Sequence, residues 1–505
     1  MNYQLPTMSL ESLPVANVPA EELDEKKQKI SDILNFLGIN FAKIDVKPGP
    51  VISFWEIYPD KGVKVSKVRE VKDVIESSIG ITGTRVICPV PGRGTIGIEI
   101  PNKSLQTVNF SAMISTEEFA ESKMQLPLAL GITNEGKPFI VDLVKMPHIL
   151  IGGSLGVGRS VMSHAIIASL LCKKSPEELK FVLIDTRLLE FMAYKTIKEF
   201  IAVPGYMENT IITDVSDAIK TLEGLKEEMI LRYDILRVTG ARNISDYNNM
   251  VAGGKIDSSK YKHLPYIVTM IDNFADLIMC AGSRFEMPLC SIAQLSRAVG
   301  IHLIISTPRI SPDIITGSIK ANFPCRIAFQ ARLVSDSLLV LDSFGAEKLM
   351  GRGDCLFSCG KDPIRIQGSF IDEYKEIADI CKQIKSQDMQ QGLYHLPVSN
   401  EQVECVEKIK IGEFAFKFAD SLFEEAAKIV VETQVASTSM LQRKLYIGYT
   451  RAGRIMEILA AAGIIAPLTA SFQTKVLIPD LETLANHIAN IKNEMLDDYI
   501  DNFLI

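Results

Sequence analysis

The sequence lacks the cysteine patterns that mark disulfide-stapled or zinc-binding domains. Nine cysteines are scattered over 505 residues, and the closest two, Cys355 and Cys359, have no second pair to complete a zinc site. Scattered cysteines are typical of proteins kept in a reducing compartment. We therefore expect each cysteine to be a structural thiol.

Signals for export and for membrane insertion are missing as well. The N-terminal stretch MNYQLPTMSLESLP has no basic segment followed by an apolar one, which argues against a secretory signal. Nowhere do about 18 apolar residues follow one another, the length that a membrane-spanning helix requires. These absences predict a cytoplasmic protein without a membrane segment.

Positive charge is also scarce. The 61 acidic residues outnumber the 54 lysines and arginines, so the formal net charge is −7. Attraction of the whole molecule to nucleic acid is thereby excluded, and any DNA binding must come from local basic patches. Apolar residues, by contrast, make up 47% of the chain, enough for full cores in roughly three domains of about 150 residues each.

The most informative segment runs from Met146 to Val161, MPHILIGGSLGVGRSV. An apolar strand leads into a glycine-rich turn and then a helix, as in the phosphate-binding P-loop, G-x-x-x-x-G-K-[ST]. Its backbone N–H groups surround a phosphate, its lysine contacts the phosphate oxygens, and its hydroxyl, here that of Ser160, holds Mg²⁺. The predicted ATP-binding residues are Gly153, Ser154, Leu155, Gly156, Val157, Gly158, Arg159 and Ser160.

One residue of this motif departs from the consensus. Arg159 stands where the loop requires lysine. A guanidinium is a wide planar fork and an ammonium is a compact point charge, so the exchange is not conservative in a tight phosphate cradle. The site is therefore expected to bind ATP poorly, or to bind it without turning it over.

The second half of an ATPase site is a buried strand that ends in acidic residues. The segment from Tyr266 to Asn273, YIVTMIDN, is such a strand. Asp272 can help to hold Mg²⁺ together with Ser160, but the next position carries Asn273, which has no basic oxygen to activate a water molecule. The predicted catalytic positions are thus Asp272 and a degenerate Asn273.

The order of apolar segments predicts the architecture. The strands ILIGG, FVLIDT, YIVTMID and HLIIST alternate with helical stretches, which indicates an α/β fold with a parallel sheet and a RecA-like P-loop ATPase domain. Strand-like segments around the Lys47–Pro50 turn, including 63–68, predict a small α+β domain before it. The expected divisions are a flexible N-terminus (1–20), the α+β domain (21–130), the RecA-like domain (131–384), a linker (385–411), a third unit (412–480) and an acidic amphipathic tail (481–505).

The third unit has the pattern of a winged helix. Helical segments surround the turn at residues 447–449, and the strand-like KVLI follows. In such modules the second helix enters the major groove of DNA, so Arg451 and Arg454 would face the bases, while Arg443 and Lys444 could reach phosphates. Neighbouring glutamates nearly cancel these charges, which leaves a protein-contact role open.

These units, in this order, resemble the motor region of the FtsK/SpoIIIE DNA translocases. The matching stretches include KPGPVISFWEI, VPGRGTIGIEIPNK, LPLALGITNEGKPFIVDLVKMPHILIGG, RAVGIHLIIST, FGAEKLMGRGDCLF and LFEEAAKIVVETQVASTSMLQRKLYIGYTRAGRIMEILAAAGII. The resemblance implies a hexameric ring that threads double-stranded DNA with ATP and Mg²⁺, in chromosome segregation and cell division. It also implies an α domain, an ATPase domain and a γ winged helix that reads chromosomal sequence.

The departures from the family pattern fall on hydrolysis. Besides Arg159 and Asn273, the family's T-Q-R-P is replaced by TPRI at residues 307–310. The family's K-I-D-S-R is replaced by VSDSL, so that Leu338 stands where a trans-acting arginine finger is a candidate.

Three hypotheses for function remain open at this point. The chain could be a DNA-binding motor homologue or partner subunit with impaired ATP hydrolysis, and this is the interpretation that the paired losses favour. It could instead be an active translocase that uses the variant P-loop. It could also be an assembly subunit of a motor ring, either homomeric or mixed with an intact family motor, that neither binds ATP nor moves DNA.

Overall fold

The computed structural model describes residues 3–257, 260–387, 392–397 and 422–445 and, beyond these, 452–453, 455–456, 459–460, 462–466 and 475–487. The chain divides into two compact units, residues 1–403 and 404–505.

The secondary structure of the described residues alternates as expected for an α/β protein. The helices are α1 (Ala20–Phe36), α2 (Val65–Glu70), α3 (Lys72–Ile79), α4 (Phe110–Ile114), α5 (Glu117–Ala120), α6 (Arg159–Leu171), α7 (Val215–Thr239), α8 (Ile244–Ala252), α9 (Phe274–Ala281), α10 (Ser283–Leu295), α11 (Gly317–Asn322), α12 (Val334–Leu341), α13 (Ala378–Lys385), α14 (Phe423–Thr433) and α15 (Thr438–Leu445). The strands are β1 (Phe41–Pro48), β2 (Ile52–Pro59), β3 (Arg85–Ile87), β4 (Ile96–Pro101), β5 (Pro127–Thr133), β6 (Pro138–Asp142), β7 (His148–Gly152), β8 (Leu179–Ile184), β9 (Ala202–Pro204), β10 (Tyr266–Ile271), β11 (Ile301–Thr307), β12 (Cys325–Phe329), β13 (Asp354–Cys359), β14 (Ile364–Gly368) and β15 (Tyr394–Leu396).

The N-terminal domain is a four-stranded antiparallel sheet in the order β1-β2-β4-β3, covered by α1 and α3. Trp55 of β2 is fully buried in its core. The prediction of a strand over residues 63–68 is wrong, because residues 65–68 form the start of α2. Its valines favour a strand locally, but burial of Val68 against the same core as Ile75 overrides that weak preference.

The main domain is built on a nine-stranded sheet in the order β6-β5-β14-β13-β12-β7-β11-β10-β8. Strands β12, β7, β11, β10 and β8 are parallel to their neighbours in this half of the sheet. The remaining strands are antiparallel. The predicted RecA-like α/β fold is therefore confirmed, and β7, which precedes the P-loop, lies where the strand order reverses and ligands of such sheets bind.

The boundary between the two domains lies earlier than residue 130. Strand β5 starts at Pro127 and pairs with β14 and β6 of the large sheet, and α4 contributes Phe110 and Met113 to the core of that sheet. No clear break marks this boundary in the sequence, because the apolar runs on both sides of it look alike.

A buried ion cluster connects the N-terminal domain to the large sheet. The Arg365 guanidinium on β14 donates to Asp354 on β13 at 2.9 and 2.7 Å and to Glu99 on β4 at 3.2 Å, and it also donates to the carbonyl oxygen of Gly83 at 2.9 Å. Burial alone would lower the pKa of Arg365, but the two carboxylates raise it above its usual range. The pairing is complete, as buried charges require.

The segment expected to be flexible at residues 1–20 has fixed partners from residue 3 onward. The Thr7 backbone N–H donates to Gln383 Oε1 on α13 at 2.9 Å, and Gln4 bonds in the same way to Gln387 at 2.8 Å. The ring of Tyr3 packs edge-on against Phe200 at 5.9 Å. Met8 and Leu13 also pack against the core of the main domain, so residues 3–13 lie along its surface.

The range expected to be a linker also contains structure. Strand β15, residues 394–396, pairs in parallel with β9, and the Tyr394 hydroxyl donates to Glu228 on α7 at 2.7 Å. Residues 388–391 and 398–411 of the predicted linker lie outside the described residues.

The described part of the C-terminal unit contains α14, α15, helical residues at 452–453, 455–456 and 459–460, and an antiparallel bridge between Ile465 and Val476. Its own core includes Val430, Leu441 and Ile455. This succession confirms the predicted winged helix. The first part of the predicted tail is integrated into this unit: residues 481–487 are helical, and Leu484 belongs to the core.

One pair of cysteines is not free. Cys325 and Cys359 face each other on the adjacent strands β12 and β13 and form a disulfide. The expectation of unpaired thiols is wrong for this pair, because strand pairing brings together two cysteines that are 34 residues apart in sequence.

Membrane insertion finds no support in the part of the chain that the structure describes. None of its helices combines the length and the apolar character needed to cross a bilayer.

Replacing Arg365 by methionine should lower the free energy of unfolding of the N-terminal domain by about 3–5 kcal/mol, because Asp354 and Glu99 would remain buried without this cation. Urea denaturation followed by fluorescence measures this effect. Trp55 is the single tryptophan of the chain, so its emission reports on the sheet that contributes Glu99.

The matched control is Lys103→Met, which removes the exposed partner of Glu25 and should leave the urea midpoint nearly unchanged. An unaltered midpoint in Arg365→Met would show that the ion cluster does not hold the N-terminal domain in place.

Candidate functional site

The loop between β7 and α6 has the backbone geometry of a phosphate cradle. Gly156 and Gly158 adopt positive φ angles of 74° and 114°, and a Cβ atom at Gly158 would lie 2.9 Å from the backbone of Gly353. The loop is held from both sides, since the Gly353 N–H donates to Val157 O at 2.8 Å and the Ser154 N–H to Gln330 O at 3.0 Å. Glycines at these positions are therefore required, and the loop fits a phosphate group.

A cavity of about 450 Å³ opens beside this loop. Its lining comes from the P-loop, the chain that joins the two domains and the turn before β13, and includes Gln106, Gly156, Ser160, Arg352, Gln367 and Phe370. This volume falls within the range of small-molecule sites, and the mixed apolar and polar lining suits the nucleoside part of a nucleotide.

Arg159, the first residue of α6, turns its guanidinium toward the sheet. Its Nη1 donates to Ser306 Oγ at the end of β11 at 2.9 Å, and its Nε donates to Ser154 O at 3.4 Å. Burial lowers the pKa of this guanidinium, and the nearby carboxylates of Asp272 and Glu190 oppose the shift. Two of its nitrogens are thus engaged by acceptors of the chain itself.

Asp272 and Asn273 follow β10 at the same edge of the sheet. Asp272 is 5% exposed, and burial together with the charge of Glu190 raises its pKa to about 6, against the opposing effect of Arg159. Asn273 has a positive φ of 48°, and its Nδ2 donates to Asp272 Oδ2 at 2.6 Å. The side chain at position 273 is therefore a hydrogen-bond donor to Asp272 and offers no basic group.

Sequence reasoning missed a carboxylate in this site. Ser160 Oγ donates to Glu190 Oε1 at 2.8 Å, rather than to Asp272. Glu190 arrives from the segment after β8, which is folded back because Asp185 accepts the backbone N–H groups of Arg187, Glu190 and Phe191. The strand FVLIDT, which ends at this edge of the sheet, was the signal in the sequence that could have located it.

Glu190 adjoins a buried histidine on α6. His164 is 3% exposed; its Nδ1 lies 3.0 Å from the Tyr194 hydroxyl, and its Nε2 lies 3.8 Å from Glu190 Oε2. Glu373, on a π-helical turn, approaches the same Nε2 at 4.0 Å. This Nε2 has no hydrogen-bond partner among the described residues, and burial lowers the pKa of His164 to about 4.

The structure thus brings together four of the predicted site residues, Arg159, Ser160, Asp272 and Asn273. Ser160 and Asp272 carry oxygen ligands of the kind that Mg²⁺ prefers, and the Glu190 carboxylate accepts the proton of the Ser160 hydroxyl, so the chain fits the metal that a P-loop uses. Thr307 and Arg309 bond locally to each other, and Leu338 is a half-exposed apolar side chain on α12.

The predicted DNA-binding residues are only partly described. Arg443 and Lys444 are exposed in the last turn of α15. Arg451 and Arg454 lie outside the described residues.

Comparison with known proteins gives matches along almost the whole chain. The FtsK alpha domain matches residues 5–102, the FtsK/SpoIIIE family residues 109–312 and the Ftsk gamma domain residues 417–479. DNA translocase SftA of Bacillus subtilis is 38% identical over 482 residues, which cover 94% of this chain and 48% of that protein. DNA translocase FtsK of Clostridium acetobutylicum is 38% identical over 484 residues, which cover 95% of this chain and 61% of that protein.

Among solved structures, the pCW3 conjugation coupling protein TcpA, in its monomer form with ATPγS, is 22% identical with a TM-score of 0.49 and covers 72% of this chain and 100% of that chain. The chain spans about half to three fifths of the length of the two translocases. Since the three matches follow one another in the order of the described domains, the chain belongs to the FtsK/SpoIIIE family.

Proposed function

We propose that the chain is a DNA-translocase-type subunit that binds ATP with Mg²⁺ but hydrolyses it poorly or not at all. The observation that carries this proposal is the amide of Asn273, whose nitrogen donates to Asp272. A general base must accept a proton from the attacking water, and an amide cannot do so at neutral pH. The family's ordinary activity would therefore be reduced at the step of water activation.

In this proposal the P-loop backbone holds the phosphates, and the adjoining cavity takes the nucleoside. Ser160 and Asp272 hold Mg²⁺, which when bound supplies charge neutralisation on the phosphate oxygens. The Nη1 nitrogen of Arg159 would reach a phosphate only by giving up its bond to Ser306. Because that bond competes with ATP, the guanidinium should bind the nucleotide less well than a lysine would.

We further propose that the C-terminal unit binds duplex DNA. The exposed Arg443 and Lys444 supply local positive charge on a chain whose formal net charge is negative. Together with Arg451 and Arg454 they would neutralise phosphates and contact base edges. Such a subunit would serve chromosome segregation or cell division either in a homo-hexameric ring or in a mixed ring with an intact family motor.

ATP turnover by the purified chain with duplex DNA should be near background, and Arg159→Lys alone should not restore it. The double variant Arg159→Lys with Asn273→Glu should raise the rate, because a positioned general base typically contributes roughly 10²- to 10⁴-fold. Phosphate release, measured with and without DNA, gives the turnover of the wild type and of both variants. Brisk DNA-stimulated hydrolysis by Arg159→Lys alone would show that Asn273 is not a catalytic lesion.

DNA affinity of the segment 412–480 should fall with rising salt concentration and depend on the four basic residues. Loss of an arginine that contacts a base should cost about 1–3 kcal/mol of binding free energy. Fluorescence anisotropy with a duplex compares the wild type with Arg451→Ala/Arg454→Ala. Equal affinities would assign the winged helix to protein contacts instead.

The chain should assemble into oligomers although Leu338 cannot serve a neighbouring active site as an arginine would. Mass photometry or light scattering, with DNA and nucleotide present, measures the stoichiometry. A strictly monomeric chain at micromolar concentration, which also fails to co-purify with an intact family motor, would contradict both kinds of ring.

A further inference from the structure

The hydroxyl of Ser160 is held in one orientation by a carboxylate outside the P-loop motif. A serine hydroxyl has one proton and two lone pairs. Ser160 donates its proton to Glu190 Oε1 at 2.8 Å, which leaves both lone pairs free on the side away from Glu190. A hydroxyl oriented in this way is ready to coordinate a cation, whereas a freely rotating one would first have to be ordered.

Glu190 is itself fixed by the surrounding chain. Its backbone N–H donates to Asp185, which folds the segment after β8 against α6. Its second carboxylate oxygen faces His164 Nε2 at 3.8 Å, and this nitrogen is deeply buried without a hydrogen-bond partner among the described residues. The carboxylate therefore lies between the P-loop hydroxyl on one side and a buried imidazole on the other.

We propose that Glu190 is a positioning residue for the metal: it orients the Ser160 hydroxyl and, with its charge, makes nucleotide binding depend on the divalent cation. This inference rests on the proposed ATP binding and extends it. Partners that orient a metal ligand through a hydrogen bond typically change metal affinity by roughly 10- to 100-fold when removed. The negative charge of Glu190 has a second effect, because without a cation it opposes the phosphates.

The two effects predict opposite changes in the two conditions that can be measured. With Mg²⁺, Glu190→Gln should weaken nucleotide binding, because a neutral amide is a poorer acceptor for the serine proton and attracts the cation less. With EDTA, the same variant should bind nucleotide as well as the wild type or better, because one opposing charge is gone. The gain in affinity due to Mg²⁺ should thus shrink by roughly 10- to 100-fold.

The experiment titrates the full chain with a fluorescent ATPγS analogue in Mg²⁺ and in EDTA, for the wild type, Glu190→Gln and Glu373→Gln. Glu373 is the matched control, because it faces the same His164 nitrogen at 4.0 Å while the hydroxyl of Ser160 is bonded to Glu190. This control should retain the wild-type gain from Mg²⁺. Ser160→Ala serves as the reference for complete loss of the hydroxyl ligand.

An unchanged gain in Glu190→Gln, or an equal loss of affinity in Mg²⁺ and EDTA, would overturn the inference while leaving ATP binding intact. A similar loss of the gain in Glu373→Gln would also overturn it, because the effect would then follow from charge in the cluster and not from the bond to Ser160. Failure of the wild type to bind the analogue in either condition would instead refute the proposed function, and the inference with it.

Discussion

Much of this architecture depends on the hydrogen bonds and ion pairs that the buried guanidinium of Arg365 makes. It binds Asp354 on its own sheet and Glu99 on the sheet of the N-terminal domain, so that one cation satisfies carboxylates from both domains. Asp354 directly follows Gly353, whose backbone donates to Val157 of the P-loop and leaves no room for a side chain at Gly158. The position of the phosphate cradle is thus mechanically linked, through two residues, to the N-terminal domain.

The elements of the site differed in how far the sequence could predict them. The P-loop and the strand before Asp272 were predictable, because each is a local apolar run that ends in a recognisable motif. Ser306 and Glu190 were not predictable, because only the tertiary packing of distant segments brings them to the site. Ser306 binds a residue 147 positions away in sequence, and Glu190 depends on the folded-back segment that Asp185 caps.

The fold likewise has parts that the sequence predicted and parts that it did not. Alternation of strands and helices predicted the parallel sheet, whereas α2 was mistaken for a strand, because valine-rich hexamers are locally ambiguous and burial of Val68 decides the outcome. The disulfide between Cys325 and Cys359 forms because β12 and β13 are neighbours, and the spacing of cysteines in the sequence does not predict strand order. Arg159 is a similar case: the motif identifies it as a departure from the consensus, but the sequence could not show that its guanidinium bonds Ser306 and Ser154.

The backbone conformation at position 273 limits which side chains this position can carry. Asn273 lies in the left-handed region at φ 48°, ψ 43°. Asparagine adopts this region more readily than other residues with a side chain, for most of which it costs about 1–2 kcal/mol. A glutamate at position 273 would therefore strain the backbone in this conformation, whereas asparagine adopts it at lower cost. The residue at this position thus affects the stability of the fold as well as the chemistry of the site.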